Sequence, residues 1–390
     1  MKKLLLVLFL ALSLITPQGA FAYKDYSSID GKINDLMQVV SDSGELGAAA
    51  TSVTINNLNG NTDKEYEMIV RGIDGVAGNN GTSFIMRFNN DSGATNYGFQ
   101  ALSGSNTTAS AARNTGIGAI YRFGSSTITG SSCLGIAHIY AKSGYVRTVI
   151  LKSAENIYTT TVSNIMLWGD SWNNTADNIT EINVLALDAD GIGIGSRMIL
   201  LKKVDATSGK RYGAMNIKGK VKNVWQEVTK GTLTGAATSV TISNLTGNTD
   251  VIYRLRVRHV EGVNSSSIFL EPNGDTTTAN YGIQKLYGSD TTVAAYRSTS
   301  YGYHWWLGYA VTAGDIGYYE ALIYAKSGYV RTAIIESVIG VATTTITTIE
   351  LHGSVWNNTA DEITSLVINS EDANALGIGT FYVLEKLNLN

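Results

Sequence analysis

The chain contains one segment of roughly 175 residues twice, and this internal repeat limits the fold more than any other feature. Residues 140–148 recur as 324–332 with identity at all nine positions, and residues 172–177 recur as 356–361, again identical. Matching positions are 187 residues apart early in the repeat and 184 apart later. Two units, each long enough to enclose its own core, predict two tandem domains rather than a solenoid.

The repeat places module 1 at residues 23–203, a linker at 204–216 and module 2 at 217–390. Each module opens with a short lead-in whose apolar residues have helical spacing. These residues are Ile29, Ile33, Leu36, Val40, Ile217, Val221, Val224 and Val228. A short amphipathic helix and an extended strand both remain open for the lead-ins.

Alternating apolar and polar residues dominate both modules. In residues 251–258, Tyr253, Leu255 and Val257 share one face, as in a half-buried β-strand. Further runs occur near residues 83–88, 133–141, 146–152, 158–167, 179–187 and 194–202, separated by Gly, Asn, Asp and Ser. We therefore predict an all-β chain of two tandem, homologous, jelly-roll-like β-sandwich domains.

A tight hairpin is predicted at residues 141–145, between two of these strands. Gly144 is the residue that would take a positive φ there, and Gly328 is its counterpart in module 2.

The N-terminus has the pattern of a cleaved secretory signal peptide, residues 1–22. Lys2 and Lys3 precede an apolar run at 4–15, and Ala20-Phe21-Ala22 gives a small-residue cleavage site. No later apolar stretch is long enough for a membrane-spanning helix. The expected location is the extracellular surface.

The net charge limits the class of partner, and the cysteine content limits the disulfides that the chain can form. Removal of Lys2 and Lys3 leaves 27 basic and 32 acidic residues, a net charge of −5, which argues against nucleic acid. Cys133 is the single cysteine, so no internal disulfide forms. Its apolar surroundings indicate a buried strand residue rather than a reactive thiol.

Several polar segments resemble those of repeated β-sandwich modules in tailed-phage virion proteins. They are residues 87–97, residues 172–180 and residues 193–196 with the apolar strand that follows. Module 2 keeps Asn280-Tyr281, residues 356–361 and residues 377–380. The resemblance implies a structural or receptor-binding role on a particle surface. The signal peptide departs from that pattern, because virion proteins do not normally carry one.

Catalysis is not expected from the histidines. The repeat offsets align each histidine with a different residue in the other module: His138 with Leu322, His259 with Gly72, His304 with Ile120 and His352 with Trp168. No histidine is duplicated, although a catalytic module copied intact would tend to keep its acid–base groups.

Only a few carboxylates are duplicated: Asp63 with Asp250, and Asp177 with Asp361. Each precedes a strand in an Asn- and Thr-rich turn, which favours a turn-capping role over a glycosidase pair. Asp188 and Asp190 begin a calcium-loop pattern that no downstream Glu completes, so they form a weak calcium candidate. No other cofactor is predicted.

The candidate ligand site is the repeated Trp-Asn-Asn-Thr-Ala-Asp loop. An aromatic ring beside amides and a carboxylate suits a sugar, whereas the alternative is a Trp that plugs the sandwich end. The candidate residues are Trp172, Asn173, Asn174, Asp177, Trp356, Asn357, Asn358 and Asp361. Trp305 and Trp306, in the Tyr-rich stretch 301–309 of module 2, are a second candidate, with a core cluster as the alternative.

Three functions are compatible with these features. The first is a non-enzymatic surface protein, resembling phage virion or tail proteins, for assembly with other subunits, including copies of itself, or for receptor adhesion. The second is a pair of carbohydrate-binding modules that contact a cell-surface glycan. A polysaccharide-degrading enzyme is the remote third.

Overall fold

The computed structural model describes residues 37–76, 82–125, 128–203, 224–289, 291–300, 304–310, 312–341 and 346–389. The predicted signal peptide, the linker and residues 301–303 lie outside these ranges.

Within the described ranges, module 1 contains twelve β-strands and one short helix, α1 (Gly60–Asp63). The strands are β1 (Met37–Asp42), β2 (Ser52–Ile55), β3 (Glu65–Ile73), β4 (Ser83–Phe88), β5 (Tyr97–Ser105), β6 (Thr108–Ile117), β7 (Ile120–Ser125), β8 (Ser132–Tyr140), β9 (Arg147–Tyr158), β10 (Thr161–Trp172), β11 (Ile182–Ala186) and β12 (Arg197–Lys203).

Module 2 repeats this order, with helix α2 (Gly247–Asp250) and a 3₁₀ turn at Thr278–Asn280. Its strands are β13 (Trp225–Thr232), β14 (Ser239–Ile242), β15 (Ile252–Val260), β16 (Ser266–Pro272), β17 (Tyr281–Ser289), β18 (Thr292–Ser298), β19 (Trp305–Ala310), β20 (Ile316–Tyr324), β21 (Arg331–Val341), β22 (Thr348–Trp356), β23 (Leu366–Ser370) and β24 (Phe381–Leu387).

Each module is a sandwich of an eight-stranded and a four-stranded antiparallel sheet, with the same strand order in both modules. The large sheets run β1-β12-β3-β8-β9-β10-β5-β6 and β13-β24-β15-β20-β21-β22-β17-β18. The small sheets run β2-β11-β4-β7 and β14-β23-β16-β19. The predicted fold class is therefore confirmed: two homologous jelly-roll-like β-sandwiches follow one another in the chain.

The described part of each lead-in is extended. Residues 29–36 and 217–223 lie outside the described ranges, and beyond them β1 and β13 pair with β12 and β24, the last strands of their own modules. The lead-ins thus add an edge strand to each large sheet.

Alternation along the strands fills the two sandwich cores. Tyr253, Leu255 and Val257 all point into the core of module 2, as their spacing predicts. Cys133 is buried in the core of module 1, and burial raises the pKa of its thiol to about 12. The thiol is therefore protonated and shielded, in agreement with a structural role.

The predicted hairpins form at the same place in both modules. Gly144 has a φ of +91° and Gly328 a φ of +90°, and no neighbouring atom lies within 4 Å of a Cβ built on either. A side chain at these positions would meet no steric clash, so the positive φ alone makes it unfavourable.

Gly144→Val should accordingly lower the free energy of unfolding by about 1–2 kcal/mol, because a β-branched residue resists positive φ. Chemical denaturation of the mature chain measures the change, and Gly328→Val serves as the matched variant. Unchanged stability in both variants would contradict the strain argument.

The two modules pack against each other through their large sheets. A third apolar cluster unites side chains from β3, β8, β10 and β12 with side chains from β15, β17, β20 and β22. Ile69 and Ile165 belong to it from module 1, and Leu286 and Leu351 from module 2. The molecule is consequently a four-layer stack: small sheet, large sheet, large sheet, small sheet.

A salt bridge marks the approximate twofold axis of this stack. Lys152 on β9 and Glu336 on β21 occupy equivalent positions, 184 residues apart, and they pair with each other. A residue that contacts its own counterpart lies at the symmetry axis of an isologous interface. Glu336, with Glu320 and Glu67 nearby, holds the pKa of Lys152 above its usual value although burial opposes this.

Lys152→Glu should lower the free energy of unfolding by about 2–3 kcal/mol, because it places like charges together in a half-buried site. The double reversal Lys152→Glu with Glu336→Lys should restore most of that loss. A double-mutant cycle in denaturant measures the coupling, and additive effects would show that the two residues do not pair.

Candidate binding surface

The two loop tryptophans lie in the sandwich cores and not on the surface. Trp172 and Trp356 end β10 and β22, and both are 0% exposed. Their indole nitrogens donate to the carboxylates of Asp91 and Asp275, at 2.7 and 2.8 Å. The prediction that these rings stack on a ligand is wrong, because their faces are covered by core side chains.

A buried arginine explains why the polar loop is repeated unchanged. The Arg147 guanidinium lies 5.1 Å from the centre of the Trp172 ring and donates to the backbone carbonyls of Asn174 and Asp177. In module 2, Arg331 stands 5.2 Å from the Trp356 ring and donates to the backbone carbonyl of Asn358. Burial lowers the pKa of Arg331 to about 10, which still leaves it charged near neutral pH.

The loop amides and carboxylates largely bond within their own turns. Asn174 accepts from the backbone of Ala176 and Asp177 and donates to the Asp177 carboxylate at 2.6 Å. The equivalents of this turn in module 2, Asn358 and Asp361, repeat the same bonds. The turn-capping alternative therefore accounts for these four predicted residues. Asn173, Asp177 and Asp361 are exposed and Asn357 is half-buried, so both loops face solvent although their tryptophans do not.

The second aromatic candidate also belongs to the interior. On β19, Trp305 is 0% and Trp306 9% exposed, and Trp306 donates to Glu350 at 3.1 Å. Both residues pack in the core, as the alternative reading of the sequence held. Their proposed contact with a ligand is thus contradicted.

The duplicated carboxylates Asp63 and Asp250 tie α1 and α2 to their sheets. Asp63 accepts from the Tyr66 hydroxyl at 2.7 Å and pairs with Lys202 at 2.9 Å. Asp250 accepts from Tyr253 in the same way, at 2.8 Å. These contacts are structural.

The calcium candidates Asp188 and Asp190 lie exposed in the turn between β11 and β12. Within the described ranges, no group of three or more His, Cys, Asp or Glu side chains is placed to hold a metal ion.

Three of the four histidines, all of them in module 2, are buried. The His259 ring bonds to the carbonyl of Ala375 at 3.1 Å, and burial lowers its pKa to about 4. His304 and His352 are likewise buried, each beside a glutamate, Glu271 and Glu350. None of these three rings is open to a substrate.

A surface strip at the β8–β9 and β20–β21 hairpins differs between the modules. We define strip 1 as Tyr140, Lys142, Tyr145 and Val146, and strip 2 as Tyr324, Lys326, Tyr329 and Val330. The two strips belong to the identical nine-residue segments, so they present the same side chains on the same hairpin.

Strip 2 is docked on module 1. The Arg71 guanidinium lies 3.8 Å from the centre of the Tyr329 ring and 4.8 Å from that of Tyr324. Lys326 pairs with Glu45 at 2.8 Å, and Tyr324 is 2% exposed. This arrangement combines cation–π stacking with an ion pair and apolar burial.

Strip 1 is open. Tyr145 is 69%, Val146 46% and Tyr140 45% exposed, and Lys142 is exposed as well. The sequence indicated only a turn in this segment. The identity of nine consecutive residues was the available signal, because a turn alone requires Gly144 but not the tyrosines.

An amide-lined hollow lies close to strip 1. It has a volume of about 790 Å³ and is bounded by Asn56, Asn57, Leu58, Asn59, Thr180 and Glu181. The hairpin is fixed beside it, since the backbone of Ser143 donates to Asn61 at 2.8 Å and that of Gly144 to Thr175 at 2.8 Å. The hairpin that carries strip 1 and the hollow thus lie at the same end of module 1.

Known proteins offer only distant similarity. No family model and no curated protein matches the sequence. Domains LG4-5 of the mouse laminin alpha1 chain are similar at 8% identity and a TM-score of 0.18, over 95% of this chain and 97% of that one. The LG1-3 region of the laminin alpha2 chain gives 10% identity and a TM-score of 0.19, over 86% and 64%. A botulinum neurotoxin type C structure gives 9% and 0.15, over 86% and 94%.

In the residues that the structure describes, no helix is long and apolar enough to cross a membrane.

Trp172→Ala should lower the free energy of unfolding by about 3–5 kcal/mol, because it empties a core position and leaves Asp91 without its indole donor. Asn173→Ala, one residue further along, is the matched surface control and should change stability by no more than about 0.5 kcal/mol. Thermal melts of both variants measure the difference. Equal melting temperatures would contradict the core assignment.

Proposed function

We propose that the chain is a secreted, non-enzymatic surface protein that acts by contact, in assembly with protein neighbours or in adhesion to a receptor. The observation that carries the proposal is strip 1, whose side chains are those of a segment already used for docking in module 2. The repeated loops resemble those of β-sandwich modules on tailed-phage particles, and the proposed role is the one that this resemblance implies.

The chemistry of strip 1 suits protein contact. Tyrosine rings provide large, rigid contact area at a low cost in conformational entropy, and they are enriched at recognition surfaces. Strip 2 gives an internal example, because Tyr324 and Tyr329 stack on Arg71 while Lys326 reaches an acid. Strip 1 offers the same three elements to a partner outside the module.

Burial of the histidines in module 2 supports a non-enzymatic role. His259, His304 and His352 serve the core of module 2, and their counterparts in module 1 are apolar residues and a glycine. A catalytic acid or base has to reach its substrate, and these rings do not.

Glycan binding at the hollow is the second candidate function. Asn56, Asn57 and Asn59 line it, and the exposed Tyr145 ring lies on the neighbouring hairpin of the same module end. Amides that bond to hydroxyls, together with a ring that stacks on C–H surface, are the groups that recognise a saccharide.

Saturable binding of the labelled mature chain to cells or particles of its source tests the proposal. Tyr145→Ala should weaken binding at least about tenfold, equivalent to about 1.4 kcal/mol. Tyr158→Ala is the matched control, because Tyr158 is 48% exposed at the opposite end of β9.

Pretreatment of the surface distinguishes the two candidate functions. Loss of binding after protease treatment supports a protein receptor, and loss after glycosidase treatment supports the glycan. Binding of Tyr145→Ala equal to that of the unmodified chain would contradict both.

A further inference from the structure

The docking of strip 2 uses a defined acceptor on module 1. Besides stacking on the two tyrosines, Arg71 donates to the carbonyl of Gly195 at 2.9 Å. A side chain at Gly195 would collide with the Tyr329 hydroxyl, so the absent Cβ leaves room for that ring. We call Arg71, Gly195 and Glu45 acceptor 1.

Module 2 carries a corresponding acceptor that no residue of the described ranges covers. Arg258 occupies the position of Arg71 and donates to the carbonyl of Gly379, the counterpart of Gly195, at 3.4 Å. Arg258 is exposed, whereas Arg71 is 4% exposed. A Cβ on Gly379 would meet only Val260, at 3.8 Å, so the space that Tyr329 fills in acceptor 1 is empty here. We call Arg258 and Gly379 acceptor 2.

The approximate symmetry of the stack explains the imbalance. A perfect twofold axis would place strip 1 on acceptor 2, as strip 2 is placed on acceptor 1. The large sheets are instead offset, as the glycines show. A Cβ on Gly353 would lie 2.8 Å from Ala154 of the other module, whereas one on the equivalent Gly169 would meet only Gln100 of its own module. One of the two related contacts is made and the other is left open.

We propose that strip 1 of one molecule docks on acceptor 2 of a second copy of the same chain. This rests on the proposed function and names the partner. Each chain has one free strip and one free acceptor on different modules, so the contact is heterologous and closes a ring or extends as a chain. The core of the contact is Tyr145 stacked on Arg258, in the geometry that Tyr329 and Arg71 adopt within one molecule.

Acceptor 2 differs from acceptor 1 in charge. In acceptor 1, Glu45 pairs with Lys326. The offset that aligns Leu46 with Leu233 aligns Glu45 with Thr232, which carries no charge. Lys142 therefore has no equivalent acid, and the contact depends on ring stacking and apolar burial. Association should consequently be weaker than the internal docking and should depend little on salt.

Sedimentation velocity of the mature chain over a wide concentration range tests this directly. The unmodified chain should self-associate, and Tyr145→Ala and Arg258→Ala should each weaken association at least about tenfold. An equimolar mixture of the two variants should form a one-to-one dimer, because one variant keeps its acceptor and the other keeps its strip. Arg113→Ala is the control, since Arg113 is exposed on β6 outside both surfaces.

Conservative variants keep the test valid if a truncation disturbs folding. Tyr145→Phe retains the ring and should associate normally, whereas Arg258→Lys loses the planar stacking group and should associate weakly. A chain that stays monomeric throughout, or an Arg258→Ala variant that associates normally, overturns the self-association proposal. Loss of source-surface binding in Tyr145→Ala would in that case still support the proposed function with a different partner.

Discussion

The packing of the two large sheets against each other is the contact on which the rest of the molecule depends. It buries the central part of the outer face of each large sheet, whereas the edge strand β6 stays exposed. It also brings Lys152 opposite Glu336, residues that a simple repeat would make identical. In a homodimer, the residue at this position would meet a copy of itself, and like charges would repel. Joining the two copies in one chain allowed one position to become basic and its counterpart acidic.

The same freedom shows in the two cores, which fill equivalent space with different side chains. In module 1, Gly72 leaves room for Cys133, whose sulfur would lie 2.8 Å from a Cβ added at the glycine. In module 2 those positions are His259 and Gly317, and the ring of Tyr319 stacks beside the histidine with centres 6.0 Å apart. The exchange conserves volume while moving the bulk from one strand to another. This exchange explains why His259 has no counterpart in module 1, without any reference to catalysis.

Sequence patterns predicted the strands, the hairpins and the sandwich class because these depend on local alternation and turn residues. They did not predict the stacking of the modules, because the face of β15 that carries Arg254 and Arg256 reads as a solvent face. In the structure, both guanidinium groups pair with Glu385, and Arg254 lies 4.3 Å from the centre of the Trp225 ring. The position of Trp172 was predicted wrongly for the opposite reason: a buried residue was expected at the surface. The polar letters of its loop suggested exposure, whereas the buried partner, Arg147, lies 25 residues earlier in the chain.

Asymmetry is the functional consequence of this construction. Two identical segments, residues 140–148 and 324–332, were each under the same local constraints, yet the offset between the sheets leaves the first exposed and covers much of the second. A symmetric stack would satisfy both strips internally and leave no recognition surface of this kind. The offset instead leaves two tyrosines of module 1 exposed, and Arg258 of module 2 exposed with a bond to the carbonyl of Gly379. The open surface therefore presents the same chemistry that adds to the apolar packing between the modules, namely tyrosine rings able to stack on arginine.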